Sequence, residues 1–554
     1  MGRSGEGQGV MGLVLILVLG WGLLYLPALG TRELQGEEAR RVLPGRTMLQ
    51  TGDWVVPRSA GKIYNRKPPL INWATAWAIK LTGRMDEWSV RLPSVLGMLA
   101  LALTVLLAGR VWLGNEGAFL AACVCLTNIG FLEKGRLAEI EGIYMALFGM
   151  ALMVWLAAWW KDWKWLAWVG SMLLLGVGFL AKGPVHVWYF YAIVMGVLWA
   201  EGRLRELLSV RHWVGVAAFV SVWLPWAMAN SGRNPQKDSG KVWMEQVTHR
   251  MGLVEFDWLN WVLQVPQSVM NFLPWAVLLP LAWSGVVTGQ WPGLGRRGVW
   301  LKGLRAGLVV GFLVIALLPS SRPRFMLPLN VAAAVLVVEC WALLPLAARG
   351  RWVRGWLAVL VGVGVLAGVA GWVGVAGWVG VVRYGGEVGV RWGWVVAATG
   401  VLVGACGWVW RLRGAEGEGM AWRLGVGHLA VMGAAVAWLG VTVAPITTLK
   451  DDLRPFAKEI LGHTGEAPSL VLYKLDERMW PFYLGMTCRE VADLKELPES
   501  TRWVMVKEAD VALRRNEMGR RYGVILREVA IQEPVTGNAG GDGERYVMME
   551  FAGK

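Results

Sequence analysis

Long apolar runs recur through most of this 554-residue chain, from Val10 to Pro445, and they constrain its fold more than any other feature. A bilayer core of roughly 30 Å needs about 20 apolar residues per helix, and within lipid every backbone N–H and C=O must be satisfied inside the segment. Runs of this kind, in a sequence that is 55% hydrophobic with mean hydropathy +0.45, exclude a soluble globular protein. They predict an all-α polytopic membrane protein over residues 1–446, with residues 447–554 as a small soluble α/β domain.

The runs expected to span are residues 10–29, 90–109, 117–132, 143–160, 165–181, 185–200, 213–229, 267–288, 306–319, 325–346, 356–381, 393–410 and 424–445. The first is too long for a signal-peptide core and ends in Pro27-Ala28-Leu29-Gly30 without a small-x-small cleavage site, so it reads as a retained helix. Leu70 to Ile79 is apolar but short and is closed by Lys80 and Gly83, which suits an interfacial or re-entrant helix. Cys123, Cys125, Cys340 and Cys406 fall inside apolar runs, leaving Cys488 in the tail; neither a disulfide framework nor a metal cluster follows.

About thirteen spans put the termini on opposite sides of the membrane. With a cytoplasmic N-terminus, the inner loops collect Lys161, Lys164, Arg203, Arg205, Arg211, Arg296, Arg297, Lys302, Arg305, Arg349, Arg351, Arg354, Arg411, Arg413 and Arg423, as the positive-inside rule requires. The exception is the first outer loop, residues 30–89, whose stretch 30–67 alone holds eight Lys or Arg. Two readings compete, a reversed orientation or cations kept on the outer face to hold a ligand, and the ligand is the one expected. The tail then lies outside; in it Asp451 to Leu461 reads as a helix, Ser469 to Tyr473 as a strand and Met479 to Leu484 as a helical turn. Arg502 to Val506 and Tyr546 to Phe551 read as strands, and Gly537 to Gly543 as a loop.

Of the net charge of +15, residues 450–554 contribute 16 Lys and Arg against 18 Asp and Glu, so the membrane part carries +17. That excess points to anionic lipid or phosphate, and no nucleic-acid motif is present. The 37 Trp gather near span ends, as at Trp159, Trp160, Trp163 and Trp165, where an interfacial aromatic belt accounts for them.

Chemistry is expected where charge meets the outer face. Glu37 and Glu38 lie just beyond the first span, and partial burial there raises a carboxyl pKa as a general base requires; a solvated loop pair is the plain alternative. Span parity delivers Glu133-Lys134-Gly135-Arg136-Leu137-Ala138-Glu139-Ile140-Glu141 to the same face, where Glu139 and Glu141 could equally serve as ion-pair partners of Lys134 and Arg136. The same parity adds Lys67 before Pro68-Pro69, Lys182 before Gly183-Pro184, and Arg322 and Arg324. Together such cations hold a phosphate and stabilise it as a leaving group. Glu245 and His249 sit at i, i+4 in a later outer loop, a weak two-ligand metal signal that leaves a divalent cofactor open.

These motifs, in order, resemble the GT-C glycosyltransferases that use polyprenyl-phosphate sugars, in particular the aminoarabinose lipid A transferases and the bacterial protein-mannosyltransferase-like group. The residues are Glu37-Glu38-Ala39-Arg40, Gly52-Asp53-Trp54, Tyr64 to Pro69, Arg91-Leu92-Pro93-Ser94, Gly135 to Glu141, Lys182-Gly183-Pro184 and Arg322-Pro323-Arg324-Phe325 with Leu327-Pro328. The resemblance covers residues 10–330 and the tail in outline. It implies a lipid-phosphate-linked hexose or pentose as donor, a lipid, glycan or protein acceptor, and catalysis on the outer face of the bacterial inner membrane, in lipid A or cell-envelope glycosylation.

On that resemblance Glu37 is the catalytic carboxylate, Glu38 its neighbour and Glu141 the second acid. Arg40, Tyr64, Lys67, Lys182, Arg322 and Arg324 surround the donor phosphate. The family usually places Asp where this chain has Glu37 and Glu141. The aminoarabinose transferase has a metal-ligating Glu where this chain has Arg66, which implies a different metal site and substrate. The rival class, a transporter or flippase of lipid-linked saccharides, predicts inverted repeats and ionisable groups inside spans. No repeat is present, and Glu339 is the main charge within a run.

Overall fold

The computed structural model describes residues 3–59, 62–64, 67–234, 257–319, 321–383, 392–414, 419–444, 453–465, 470–473, 479–485, 488–491, 497–498, 501–507, 525–531 and 546–552. Helices dominate it. By length and composition seven of them can cross a membrane, or eight if the bent pair Trp258–Met270 and Trp275–Trp283 is one span.

The first helix, α1 (Arg3–Tyr25), leads to α2 (Glu38–Thr51), where a loop was expected, and to α3 (Leu70–Thr82), which contains the short helix expected at Leu70 to Ile79. Between these lies the short β1–β2 hairpin, Arg58–Ser59 with Lys62–Ile63. Gly45 lets α2 and α3 close on each other, since a Cβ there would come within 2.5 Å of the Asn72 carbonyl oxygen. The Gly52-Asp53-Trp54 motif shapes the end of α2. Gly52 closes the helix at φ 71°, and the Asp53 carboxylate accepts from the Val55 and Val56 amides at 3.1 and 3.2 Å.

The membrane helices then follow: α4 (Glu87–Thr127), α5 (Ile129–Lys134), α6 (Ile140–Trp160), α7 (Ser171–Lys182), α8 (Val185–Ala200) and α9 (Val210–Arg233). The expected spans 90–109 and 117–132 are one helical run interrupted at Gly114, whose φ of 70° and ψ of 179° turn the chain where no L side chain would readily follow.

The expected span 267–288 needs correcting. The chain there forms α10 (Trp258–Met270) and a 3-10 segment, Trp275–Trp283, bent by 98°. Pro266, Pro274 and Pro280 withhold N–H groups and crowd the preceding turns, so a straight helix cannot form. Next, α11 (Arg296–Ala316) begins ten residues before the expected run at 306. The expected run 325–346 opens instead as 3-10 turns at Pro323–Phe325 and Leu327–Leu329 before α12 (Asn330–Ala342). The last membrane helices are α13 (Leu346–Arg383), α14 (Trp392–Gly414) and α15 (Met420–Thr442).

In the tail, α16 (Leu453–Thr464) and α17 (Met479–Tyr483) accompany β3 (Leu470–Tyr473), β4 (Arg489–Val491), β5 (Trp503–Lys507), β6 (Ile525–Ile531) and β7 (Tyr546–Ala552). The sheet order is β4-β3-β5-β7-β6, with β3 parallel to β4 and β5 and the remaining pairs antiparallel. Alternation decides the faces: Leu470, Leu472, Trp503 and Met505 pack on Phe456 and Ile460 of α16, while Val504, Val506 and Met549 face the other way. The 537–543 loop lies outside the described residues.

The tail sits on the segment around α2 and the start of α4. The Tyr483 hydroxyl accepts from the Leu34 amide at 2.8 Å and donates to Glu87 at 3.0 Å, Arg46 donates to the Pro481 carbonyl at 2.7 Å, and Phe482 joins Ala39, Val42 and Leu43 of α2. Next to an anionic Glu87, burial raises the Tyr483 pKa well above the ordinary phenol.

Glu339, the one carboxylate expected inside a run, is matched by Arg297, whose Nε lies 2.8 Å away. Its side chain is 1% exposed, so the pair is a structural clasp between α11 and α12. Arg297→Ala strands that carboxylate and should cost about 3–5 kcal/mol. Thermal unfolding in detergent should show the loss, and adding Glu339→Leu should recover most of it.

Candidate active site

Residues 27 to 38 connect the end of α1 to α2, and Gly36, at φ 53°, turns the chain into the helix. The turn places two adjacent carboxylates in different surroundings. Glu38 opens α2 and is fully buried. Arg91 grips it through two parallel hydrogen bonds of 2.8 Å, and the Ala138 and Gln35 amides donate to it at 2.7 and 2.8 Å. Arg91 uses its remaining donors on the carbonyls of Leu29, Arg32 and Glu33 at 2.7 to 2.8 Å. The expectation of Glu38 as a catalytic group is therefore revised: both its oxygens are taken, and it joins α1, α2, α4 and the 134–141 turn.

Glu37 keeps 32% of its side chain exposed. Arg40 spans both its oxygens at 2.7 and 2.9 Å, and Arg41 reaches one of them at 2.9 Å. Arg41 also donates to the Tyr64 hydroxyl, while its carbonyl accepts from Asn72 at 2.6 Å. The arrangement draws the Tyr64 segment, and Lys67 three residues on, to the start of α2. Arg66 lies outside the described residues.

The second cluster is built at the start of α6. Glu141, 9% exposed in its side chain, receives Lys182 at 3.0 Å and Arg324 at 3.7 Å. Lys182 is the last residue of α7, and Gly183 breaks the helix there at φ 92°. Its ammonium lies over the rings of Tyr144 and Phe325 at 5.2 and 5.1 Å. Tyr189 pins the 3-10 turn that carries Arg324, its hydroxyl donating to the Phe325 carbonyl at 2.5 Å. Arg322 is exposed beside it.

Glu139 sits between the two clusters. One of its oxygens lies 3.7 Å from where a Cβ on Gly36 would be, and Lys134 approaches the other at 3.4 Å. Burial raises the Glu139 pKa and the charges of Glu141 and Glu38 add to the rise, against Lys134 and Arg324. The Lys134 pKa is lowered by burial but raised more by Glu139 and Glu133, so it ends above its ordinary value.

The structure places Glu37, Arg40 and Tyr64 in one cluster and Glu141, Lys182 and Arg324 in another, and sequence reasoning missed what holds them. Arg41 and Asn72 carried no motif signal. Arg91 stood in the Arg-Leu-Pro-Ser motif, and an Arg one helix away from a buried Glu was the available sign. Among the described residues no three His, Cys, Asp or Glu side chains converge on a common point. Glu245 and His249 lie outside the described residues. The acids at the site are matched by Lys and Arg, which does not fit a metal centre there.

Residues 66–228 match the family described as dolichyl-phosphate-mannose-protein mannosyltransferase. The solved ArnT of Cupriavidus metallidurans, bound to undecaprenyl phosphate, superimposes with TM-score 0.70 over 97% of both chains at 18% identity. Its apo form gives 0.68 at 19% identity over the same shares. The chain shares the fold of these two structures. Curated relatives include undecaprenyl phosphate-alpha-4-amino-4-deoxy-L-arabinose arabinosyl transferase 2 of Proteus mirabilis, 28% identical over 63% of this chain and 63% of that protein. The transferase of Pseudomonas aeruginosa is 28% identical over 58% of each. The matched stretch thus spans about three-fifths of these relatives' length.

The two adjacent acids of this chain should respond unequally to truncation. Glu38→Ala leaves Arg91 buried without its partner and should cost about 3–5 kcal/mol. Glu37→Ala removes a partly exposed pair and should cost no more than about 1 kcal/mol, both read from thermal unfolding. Glu139 gives a pH test. Its folded pKa lies above its ordinary 4.5, so the folded state holds that proton more tightly and stability is lost as pH rises through the folded value. Glu139→Gln should therefore match or exceed the wild-type midpoint at neutral pH, with the difference vanishing as pH falls below 4.5.

Proposed function

We propose that this protein is an integral inner-membrane glycosyltransferase that moves a sugar from a polyprenyl-phosphate donor to a lipid acceptor on the outer face. The observation that carries the reading is the pair of cations held on Glu141. Lys182 and Arg324 would repel each other without that carboxylate. With it they form a compact positive site that an arriving phosphate can share. The relatives' printed donor, an undecaprenyl-phosphate-linked sugar, and the undecaprenyl phosphate in the solved ArnT supply the same chemistry.

An apolar groove of about 440 Å³ between α8 and α11 begins at Tyr189, whose hydroxyl bonds the turn bearing Arg324, and runs past Ala192, Val310 and Val314. It accepts the isoprenoid chain while the phosphate rests at Lys182 and Arg324. The acceptor oxygen attacks the anomeric carbon, and the bond from that carbon to the phosphate oxygen breaks. The electron pair leaves with the polyprenyl phosphate, whose charge the two cations stabilise. Glu37, the open member of its pair, takes the acceptor's proton, and Arg40 and Arg41 orient it.

The topology belongs to the same proposal. Counting the bent pair once, dividing Glu87–Thr127 at Gly114 and admitting the four shorter apolar helices gives thirteen spans. The C-terminal sheet then forms an outer α/β domain docked on α2. A flippase reading loses its main support, because Glu339 is clasped by Arg297.

Purified protein given radiolabelled polyprenyl-phosphate sugars and an acceptor membrane fraction should transfer label. Glu37→Gln should lower the rate at least about 100-fold without loss of stability, and Lys182→Gln should do so by about 100-fold or more. Unchanged transfer in Glu37→Gln removes the role given to Glu37, and movement of intact donor without bond cleavage establishes the transporter. A reporter fused at the C-terminus should register the outer face; a cytoplasmic signal overturns the thirteen-span count.

A further inference from the structure

A second groove lies in the opposite half of the membrane region. It is walled by α13 and α14 with Trp438 of α15 behind, and its volume is about 830 Å³, almost twice that of the groove at Tyr189. Gly364, Gly368 and Gly407 leave it open, and Val365, Trp372 and Trp410 on its walls are exposed. In a membrane this surface meets lipid, so its openness alone selects no ligand. Its end does.

Trp410 closes the groove along α14, and the Arg413 guanidinium lies 4.4 Å from the centre of its ring. Arg411 is exposed beside it. Among the described residues, the chain segments at this end carry Arg349, Arg351, Arg354, Arg411, Arg413 and Arg423. The groove's wall on α14 runs from Thr399 to Trp410, about 16 Å at 1.5 Å per residue. That is one leaflet of a core roughly 30 Å thick. It suits an acyl chain whose headgroup stays at the Arg413 end, and is short for a polyprenyl chain.

The end in question is remote from the catalytic cluster. α1 and α15 run parallel, with Gly20 against Leu429, Leu23 against Gly433 and Ala28 against Gly440. The start of α15, where Arg423 lies, is therefore at the membrane face away from Glu37.

We propose that this groove binds an anionic phospholipid, with one acyl chain between α13 and α14 and its phosphate on Arg413 and Arg411. The site is independent of the donor groove and of the reaction assigned to the other face. Basic clusters at a cytoplasmic boundary attract such headgroups, each cation contributing about a kilocalorie per mole, or roughly fivefold.

The test uses the full-length protein in a mild detergent, mixed with phosphatidylglycerol or phosphatidylcholine of identical acyl chains and measured by native mass spectrometry. Wild type should retain phosphatidylglycerol at least roughly fivefold better, and Arg411→Gln with Arg413→Gln should bring the ratio close to one. Gly407→Leu fills the groove without a clash, since a Cβ there meets nothing within 4 Å, and should reduce retention of both lipids. Equal retention in wild type, or a ratio unmoved by the double variant, shows bulk annular lipid only and overturns the proposal. A protein dimer that disappears in Gly407→Leu would put a second copy in the groove and overturn it as well.

Discussion

The buried pair of Glu38 and Arg91 is the constraint on which the rest of the candidate site depends. An ionised carboxylate and a guanidinium withdrawn from water must satisfy each other and nearly all their remaining donors and acceptors, or the fold is strongly destabilised. Here they do so by drawing in the Leu29, Arg32 and Glu33 carbonyls and the Gln35 and Ala138 amides. With the pair itself, those atoms come from three stretches of chain, the 29–38 segment, α4 and the 134–141 turn, so satisfying one pair fixes the end of α1, the start of α2, α4 and the turn leading to Glu141 relative to one another. Glu37 gains its position from its neighbour's immobility.

Around this anchor the site is organised by charge matching. Each reactive-looking acid has its own cations: Glu37 has Arg40 and Arg41, Glu139 has Lys134, and Glu141 has Lys182 and Arg324. In a partly buried setting such matching keeps like charges close at tolerable cost. A phosphate entering between Glu141 and its cations meets donors already ordered, which lowers the entropy lost on binding.

The motifs were legible because short-range chemistry writes them. Gly52 and Asp53 shape the end of α2, Gly183 breaks the helix after Lys182, and the apolar runs announce helices whatever their neighbours. The bend within 258–283 was missed because hydropathy counts Pro266, Pro274 and Pro280 as neutral while backbone geometry does not. The helix α2 was read as a loop because its burial comes from the Tyr483 docking surface and from α3, partners that lie outside its own segment.

By itself the sequence determined that this chain crosses a membrane many times and that Glu37, Glu141, Lys182 and Arg324 stand at helix ends, because hydrophobic length and helix-terminating glycines are local properties. Only the tertiary structure decided which of two adjacent glutamates is open. Glu37 and Glu38 are chemically identical and one residue apart, but a helix turns by about 100° between them. That rotation sends Glu38 onto Arg91 and leaves Glu37 at the surface, and nothing in the sequence says where Arg91 will be.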